Sequence, residues 1–236
     1  MVDVRLVVQR ESLSSYRMVN SKFPPISLFD DVMSPDDFDT AYALQALTNP
    51  RLLDAVGDLS LISVEDIPFG IDGTNYATAP FTHVNPDGSR FSDGSYGVLY
   101  LADTPDTAIA ETRYHQEKCF RSVEGLHYDT VDMRCLKVVF SAELVDGVGI
   151  KEIHLPDDYA PSRIFGAQIR GAGENGIQYR SVRNTGGICW GLMSPRYVES
   201  ARQTMHFEFI YDGESISKVR ELTIDKSHLL TGHDLK

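Results

Sequence analysis

Strict alternation from Tyr96 to Leu101 runs directly into a helix start, and this junction limits the chain more than any other feature. Tyr96, Val98 and Tyr100 share one face of the predicted strand, and Gly97, Leu99 and Leu101 the other. Asp103 or Thr104 then caps a helix with Pro105 in its first turn. That helix is expected to reach about Lys118, with Thr107, Glu111 and His115 spaced by four along one stripe. Arg90 lies just ahead, after Gly88 and Ser89. One arginine, one tyrosine and one carboxylate therefore stand around the ends of a strand and a helix.

From Pro68-Phe69-Gly70 onward, the sequence reads as short strands separated by Gly, Asn and Asp, an α+β body. Further strands are predicted at Leu136 to Phe140, Gly176 to Tyr179 and Gly187 to Met193, a helix at Pro161 to Arg170, and a hairpin from Met205 to Leu222 split by Asp212-Gly213. Before the body, Ser34-Pro35-Asp36-Asp37 signals a helix to about Asn49, with a second near Pro50. The organisation expected is a mainly helical N-terminal extension (1–66) packed on the body, a catalytic domain (67–225) and a short tail (226–236).

The formal charge of −12, with 22 Lys and Arg against 34 Asp and Glu, speaks against direct nucleic-acid binding. Three widely spaced cysteines, Cys119, Cys135 and Cys189, suggest neither a disulfide framework nor a zinc knuckle. The first residues lack a signal-peptide core, and no apolar run reaches membrane-spanning length. A cytoplasmic protein without membrane contact is expected.

The guanidinium of Arg90, beside Gly88 and Ser89, suits a phosphate anion. Tyr100 at a strand end can stack on a planar heteroaromatic ring while its hydroxyl orients a ribose or amide. Glu111 can accept from a ribose hydroxyl and offset positive charge on the adjacent sugar carbon. Glycosidases ordinarily use two carboxylates because one must protonate a poor leaving group. The nicotinamide of NAD+ is a cationic pyridinium that departs neutral, so a single carboxylate fits that substrate. Taken singly, these residues also have plain roles: a surface ion pair for Arg90, a half-buried strand position for Tyr100, a solvated helix position for Glu111 and a turn hydroxyl for Ser181.

Together they carry a resemblance. Arg90-Phe91, Gly94, Val98-Leu99-Tyr100-Leu101-Ala102, Thr107-Ala108 and Glu111 look like the first block of the RES domain family. Gly176-Ile177-Gln178-Tyr179-Arg180-Ser181-Val182-Arg183, with Gly187 and the strand Cys189 to Met193, is similar to its serine-bearing block. The resemblance covers about residues 70 to 200. It implies an ADP-ribosyltransferase-like split sheet with flanking helices, and a toxin of a toxin-antitoxin pair that takes NAD+ as substrate and needs no metal. Arg90, Tyr100, Glu111 and Ser181 match the family's catalytic residues. Tyr76 and His83 are candidates for the adenosine or nicotinamide side, Ser181 for positioning a phosphate or ribose, Arg183 and Asn184 for the diphosphate or for fixing the corner around Ser181, and His115 for orienting the Glu111 carboxylate. Relatives pass ADP-ribose to water, phosphate or a protein. The extension favours a protein acceptor, as in the ParT-like members that modify phosphoribosyl pyrophosphate synthetase. The alternatives are an NAD+ glycohydrolase or phosphorylase, and a nucleotide- or partner-binding module without turnover. The implied partner is an Xre-type antitoxin with a helix-turn-helix module that blocks the active site. Many relatives carry an Asn-Pro-Pro-Gly-like turn after Arg-Phe where this chain has Ser92-Asp93-Gly94, so the loop beside Arg90 is expected to differ in shape.

Overall fold

A computed structural model describes residues 7–22 and 57–223. Seven strands form the sheet: β1 (Val7–Asn20), β2 (Leu99–Ala102), β3 (Asp129–Asp146), β4 (Gly176–Arg180), β5 (Ile188–Leu192), β6 (Val198–Tyr211) and β7 (Ile216–Glu221), in the order β1-β2-β5-β4-β3-β6-β7. Among the described residues three α-helices accompany them: α1 (Thr74–Thr82), α2 (Pro105–Arg121) and α3 (Ala160–Gly171). This is the expected α+β class, and the sheet is split. β1 also pairs along β3, so β1, β3, β6 and β7 make one half and β2, β5 and β4 the other. Two narrow joints connect the halves. One is the single pair Tyr16 with Ala102; the other is the parallel step of Val145 and Asp146 against Ile177 and Gln178.

The strand expected from Tyr96 to Leu101 spans only Leu99–Ala102, with a bend at Tyr96, yet the alternation from Tyr96 onward still sorts these side chains into two cores. Tyr96 and Val98 pack with Phe91, Phe165, Ile177 and Tyr179, whereas Leu99 and Leu101 pack with Leu136, Phe140, Trp190 and Leu192. Helix α2 begins as its sequence dictates. Thr104 accepts the Thr107 N–H through its side chain, Pro105 follows, Asp106 lies in the first turn, and Lys118 and Arg121 lie in the last.

Two further segments differ in kind from expectation. Val7–Asn20, placed by the sequence in a mainly helical extension, is a strand of the central sheet. Polar residues interrupt its pattern. The register with β3 shifts between Arg10 and Leu13, around Ser12 at φ 43°, and Ser15 stays buried by donating to the Val138 carbonyl at 2.8 Å. Long-range pairing, not an apolar stripe, holds β1. The helix α1 was not expected either, because Thr, Asn and Pro80 give it little intrinsic propensity. It survives by packing: a Cβ at Gly97 would meet the Pro80 carbonyl at 2.2 Å, and one at Gly73 the Ala201 carbonyl at 1.9 Å. The helix expected from Ser34 to about Asn49 and the tail 226–236 lie outside the described residues.

Candidate active site

A cavity of about 750 Å³ opens beside the joint between β1 and β2, within the range of small-molecule sites, ~300–1,000 Å³. Tyr16, Arg17 and Met18 of β1 line one side, Tyr100 to Ala102 of β2 the next, and α2 runs along it from Ala108 to Ser122. Arg90, Tyr100 and Glu111 all face this space. The split of the sheet and the cap of α2 together bring the three predicted groups to one place.

Arg90 is 6% exposed and rigidly held. Its Nη1 donates to the carbonyls of Ile153 and Leu155 at 3.2 and 2.9 Å, and its Cζ lies 4.4 Å from the centroid of the Tyr159 ring. Its Nη2 is buried without a hydrogen-bond partner among the described residues, a donor left for a ligand. The turn supplying the two carbonyls is itself pinned. His154 accepts the Arg180 N–H at Nε2, 3.0 Å, so its Nδ1 carries the proton donated to the Ile150 carbonyl at 2.6 Å. Burial holds the His154 imidazole below its ordinary value.

The Tyr100 hydroxyl does not reach for a ligand. It accepts the Phe91 N–H at 2.9 Å and lies 2.7 Å from Ser89 Oγ, which fixes the loop on both sides of Arg90. Burial pushes its pKa up to about 12. Tyr96 completes the loop's support by donating to the Phe91 carbonyl at 2.6 Å, and Arg163 donates to the carbonyls of Ser89 and Asp87 at 3.0 and 2.7 Å. What Tyr100 can offer a substrate is its ring. Arg17 donates to the Tyr100 carbonyl at 3.1 Å, and burial lowers its pKa to about 10, still cationic at neutral pH.

Glu111 accepts at Oε1 from Ser181 Oγ, 2.6 Å, and from the Val182 N–H, 3.2 Å. Both bonds fall on one oxygen, which leaves Oε2 to accept from a ligand. Ser181 Oγ in turn accepts the N–H groups of Arg183 and Asn184 at 3.2 and 2.9 Å, and Asn184 donates to Thr107 Oγ1 at 2.8 Å. Ser181 is therefore absent from the cavity wall and acts through Glu111, as a positioning residue rather than a phosphate contact.

The remaining predicted residues lie elsewhere. The Tyr76 hydroxyl accepts from Arg134 Nη1 at 3.0 Å, and its ring packs on the core opposite the cavity. His83 ends α1, with Nδ1 3.1 Å from Thr82 Oγ1. Arg183 sits 3.3 Å above the Tyr114 ring and donates to the Pro156 carbonyl, with Asp157 at 3.4 Å. None of the three lines the cavity. His115 does, one turn beyond Glu111.

Sequence reasoning missed Arg17, Lys118 and Arg163. With Arg90 they set four cations against Asp87 and Glu111 around the cavity, in a chain of net charge −12. Such a cavity selects anions. Arg163 and Tyr159 at the start of α3, four apart, were readable as a pair; Arg17 was not, since only the pairing of β1 brings it there. Among the described residues no group of three His, Cys, Asp or Glu could hold a metal ion, and no helix is long and apolar enough to cross a membrane.

The RES domain family matches residues 67–212, and the chain belongs to that family. The uncharacterized protein y4oC of Sinorhizobium fredii is 29% identical over 205 residues, 86% of this chain and 84% of that one. Among solved structures, the M. tuberculosis MbcT-MbcA toxin-antitoxin complex matches with a TM-score of 0.34 and 13% identity, covering 58% of this chain and 73% of that one.

Proposed function

We propose that this chain cleaves the nicotinamide–ribose bond of NAD+ and transfers ADP-ribose to a target protein, as the toxin of a pair whose Xre-type antitoxin covers the cavity. The observation that carries the reading is Glu111. It is a lone carboxylate anchored at one oxygen by Ser181 and Val182, in the same cationic cavity as an arginine with a buried, unpartnered nitrogen. In this reading Arg90 Nη2 holds a phosphate oxygen, the Tyr100 ring packs on the nicotinamide, and Glu111 Oε2 accepts from a ribose hydroxyl. As the C1′–N bond breaks, its electron pair returns to the pyridine ring and nicotinamide leaves neutral. Positive charge builds on the ribose, where the carboxylate offsets it.

The test is nicotinamide release from NAD+ by the parent and by Glu111→Gln. The amide keeps the shape and loses the charge, and release is expected to fall by about 10²–10³-fold with the fold unchanged by circular dichroism. Equal release by the two proteins would sink the reading. Mass spectrometry after incubation in buffer, in phosphate and with cell extract then separates free ADP-ribose, its phosphate and a modified protein.

A further inference from the structure

The cavity face of α2 is graded from inside to outside. Ala108 is buried at its inner end, Glu111 and Thr112 are partly covered, and His115, Lys118, Cys119 and Ser122 are exposed. Moving along the helix from Ala108 to Ser122, about 21 Å at 1.5 Å per residue, is moving from the floor of the cavity to its mouth. A molecule entering from solvent passes His115 before it reaches Glu111.

The two residues are not equally available. Glu111 has one oxygen committed to Ser181 and Val182, and the other is needed for the ribose in the reaction proposed above. The attacking hydroxyl must still lose its proton, and a second group has to take it. Lys118 is a cation at neutral pH, and the Tyr114 hydroxyl is already donated to Asp157. The His115 imidazole has no hydrogen-bond partner among the described residues; its one ring contact is edge-on with Tyr114, centroids 5.2 Å apart. On one helix face, residues four apart stand ~5–6 Å apart at Cβ, close enough for both side chains to reach one bound ribose.

We propose that His115 is the general base that takes the proton of the acceptor hydroxyl as it attacks the ribose C1′. The inference rests on the NAD+-cleavage reading and assigns its second half-step. The acceptor O–H bond breaks, with the proton going to an imidazole nitrogen. The oxygen forms its bond to C1′, the C1′–N bond breaks, and the electron pair leaves with nicotinamide. Glu111 offsets charge throughout and moves no proton. The groups around the imidazole agree with a base that is neutral at physiological pH. Part of the His115 ring is open to the cavity mouth, and the protein packed around the rest of it lowers its affinity for a proton most; Glu111 opposes that, and Arg183, Arg90 and Lys118 add to it, leaving His115 below 6.5.

The experiment uses the full chain as parent, His115→Gln and Glu111→Gln. NAD+ affinity is measured by calorimetry, and nicotinamide release is followed across pH with and without sodium azide, an anion that attacks carbon with no proton to lose. The expected result is an His115→Gln protein that binds NAD+ as the parent does and releases nicotinamide into water about 10²-fold or more slowly. It also lacks the acidic limb of the parent's pH profile, and azide restores its rate, whereas Glu111→Gln stays slow with azide present. Parental rate and pH profile in His115→Gln would overturn the assignment, as would a slow variant that azide does not rescue. A parent that binds NAD+ but releases no nicotinamide under any condition would take down the cleavage reading and this inference together.

Discussion

At the scale of single residues, the site is built from groups that hold one another before any ligand arrives. The Tyr100 hydroxyl serves the loop of Arg90, through Phe91 and Ser89. Tyr100→Phe leaves the Phe91 N–H without that acceptor, and is expected to lower unfolding free energy in a urea titration by about 1–3 kcal/mol. Ser181→Ala frees Glu111 Oε1 from its strongest partner and strands two backbone N–H groups, so nicotinamide release should fall at least tenfold, about 1.4 kcal/mol in barrier, with NAD+ affinity less affected. His154 gives a pH effect whose sign is fixed. Its folded-state pKa lies below the unfolded 6.5, so the folded protein prefers the neutral ring; that contribution is complete above 6.5 and is lost as pH falls through the depressed value. His154→Gln should therefore flatten the acid side of a melting-temperature profile below pH 6.5. The identity of Arg90, Tyr100 and Glu111 as a set was legible in the sequence, because cap and alternation fix where they point. The use of each atom was not: a hydroxyl looks the same in a sequence whether it faces a ligand or a backbone N–H.

At the scale of elements, legibility followed local signals. The start of α2 is written in Thr104, Pro105 and Asp106, and the hairpin of β6 and β7 in Asp212-Gly213. The strand β1 has no such signal, since its order comes from pairing with β3, more than a hundred residues away in the chain. It nevertheless supplies Tyr16, Arg17 and Met18 to the cavity although it precedes the segment matched by the family. Removal of residues 1–22 is expected to abolish the cooperative thermal transition, even though 67–212 is retained, as scanning calorimetry would show. Helix α3 contributes by close contact as well as through Arg163. A Cβ at Gly166 would come within 2.0 Å of the Phe91 carbonyl, beside Arg90. Glycine to alanine inside a helix ordinarily stabilises by roughly 0.5–1 kcal/mol. Here the clash reverses the sign, and Gly166→Ala should lower the denaturation midpoint and weaken NAD+ binding together.

At the scale of the whole molecule, the acidic chain sets four cations around the cavity and buries two of its three thiols. Cys135 and Cys189 are buried, and burial pushes the Cys135 thiol up to about 11 and that of Cys189 further still. Cys119 alone of the three is exposed, so a thiol reagent at neutral pH should label one equivalent in the native protein and three after unfolding. The two joints of the split sheet have a mechanical meaning as well. Among the described residues, one residue pair on one side and a two-residue step on the other are all the strand pairing that couples the halves. The cavity lies across the weaker of these seams, with Tyr16 to Met18 on one bank and Tyr100 to Ala102 on the other. If NAD+ binds as proposed, a dinucleotide gripped from both banks would act as a third fastening, and occupancy of the site would be readable as slower amide exchange at Tyr16 and Ala102 when NAD+ is added.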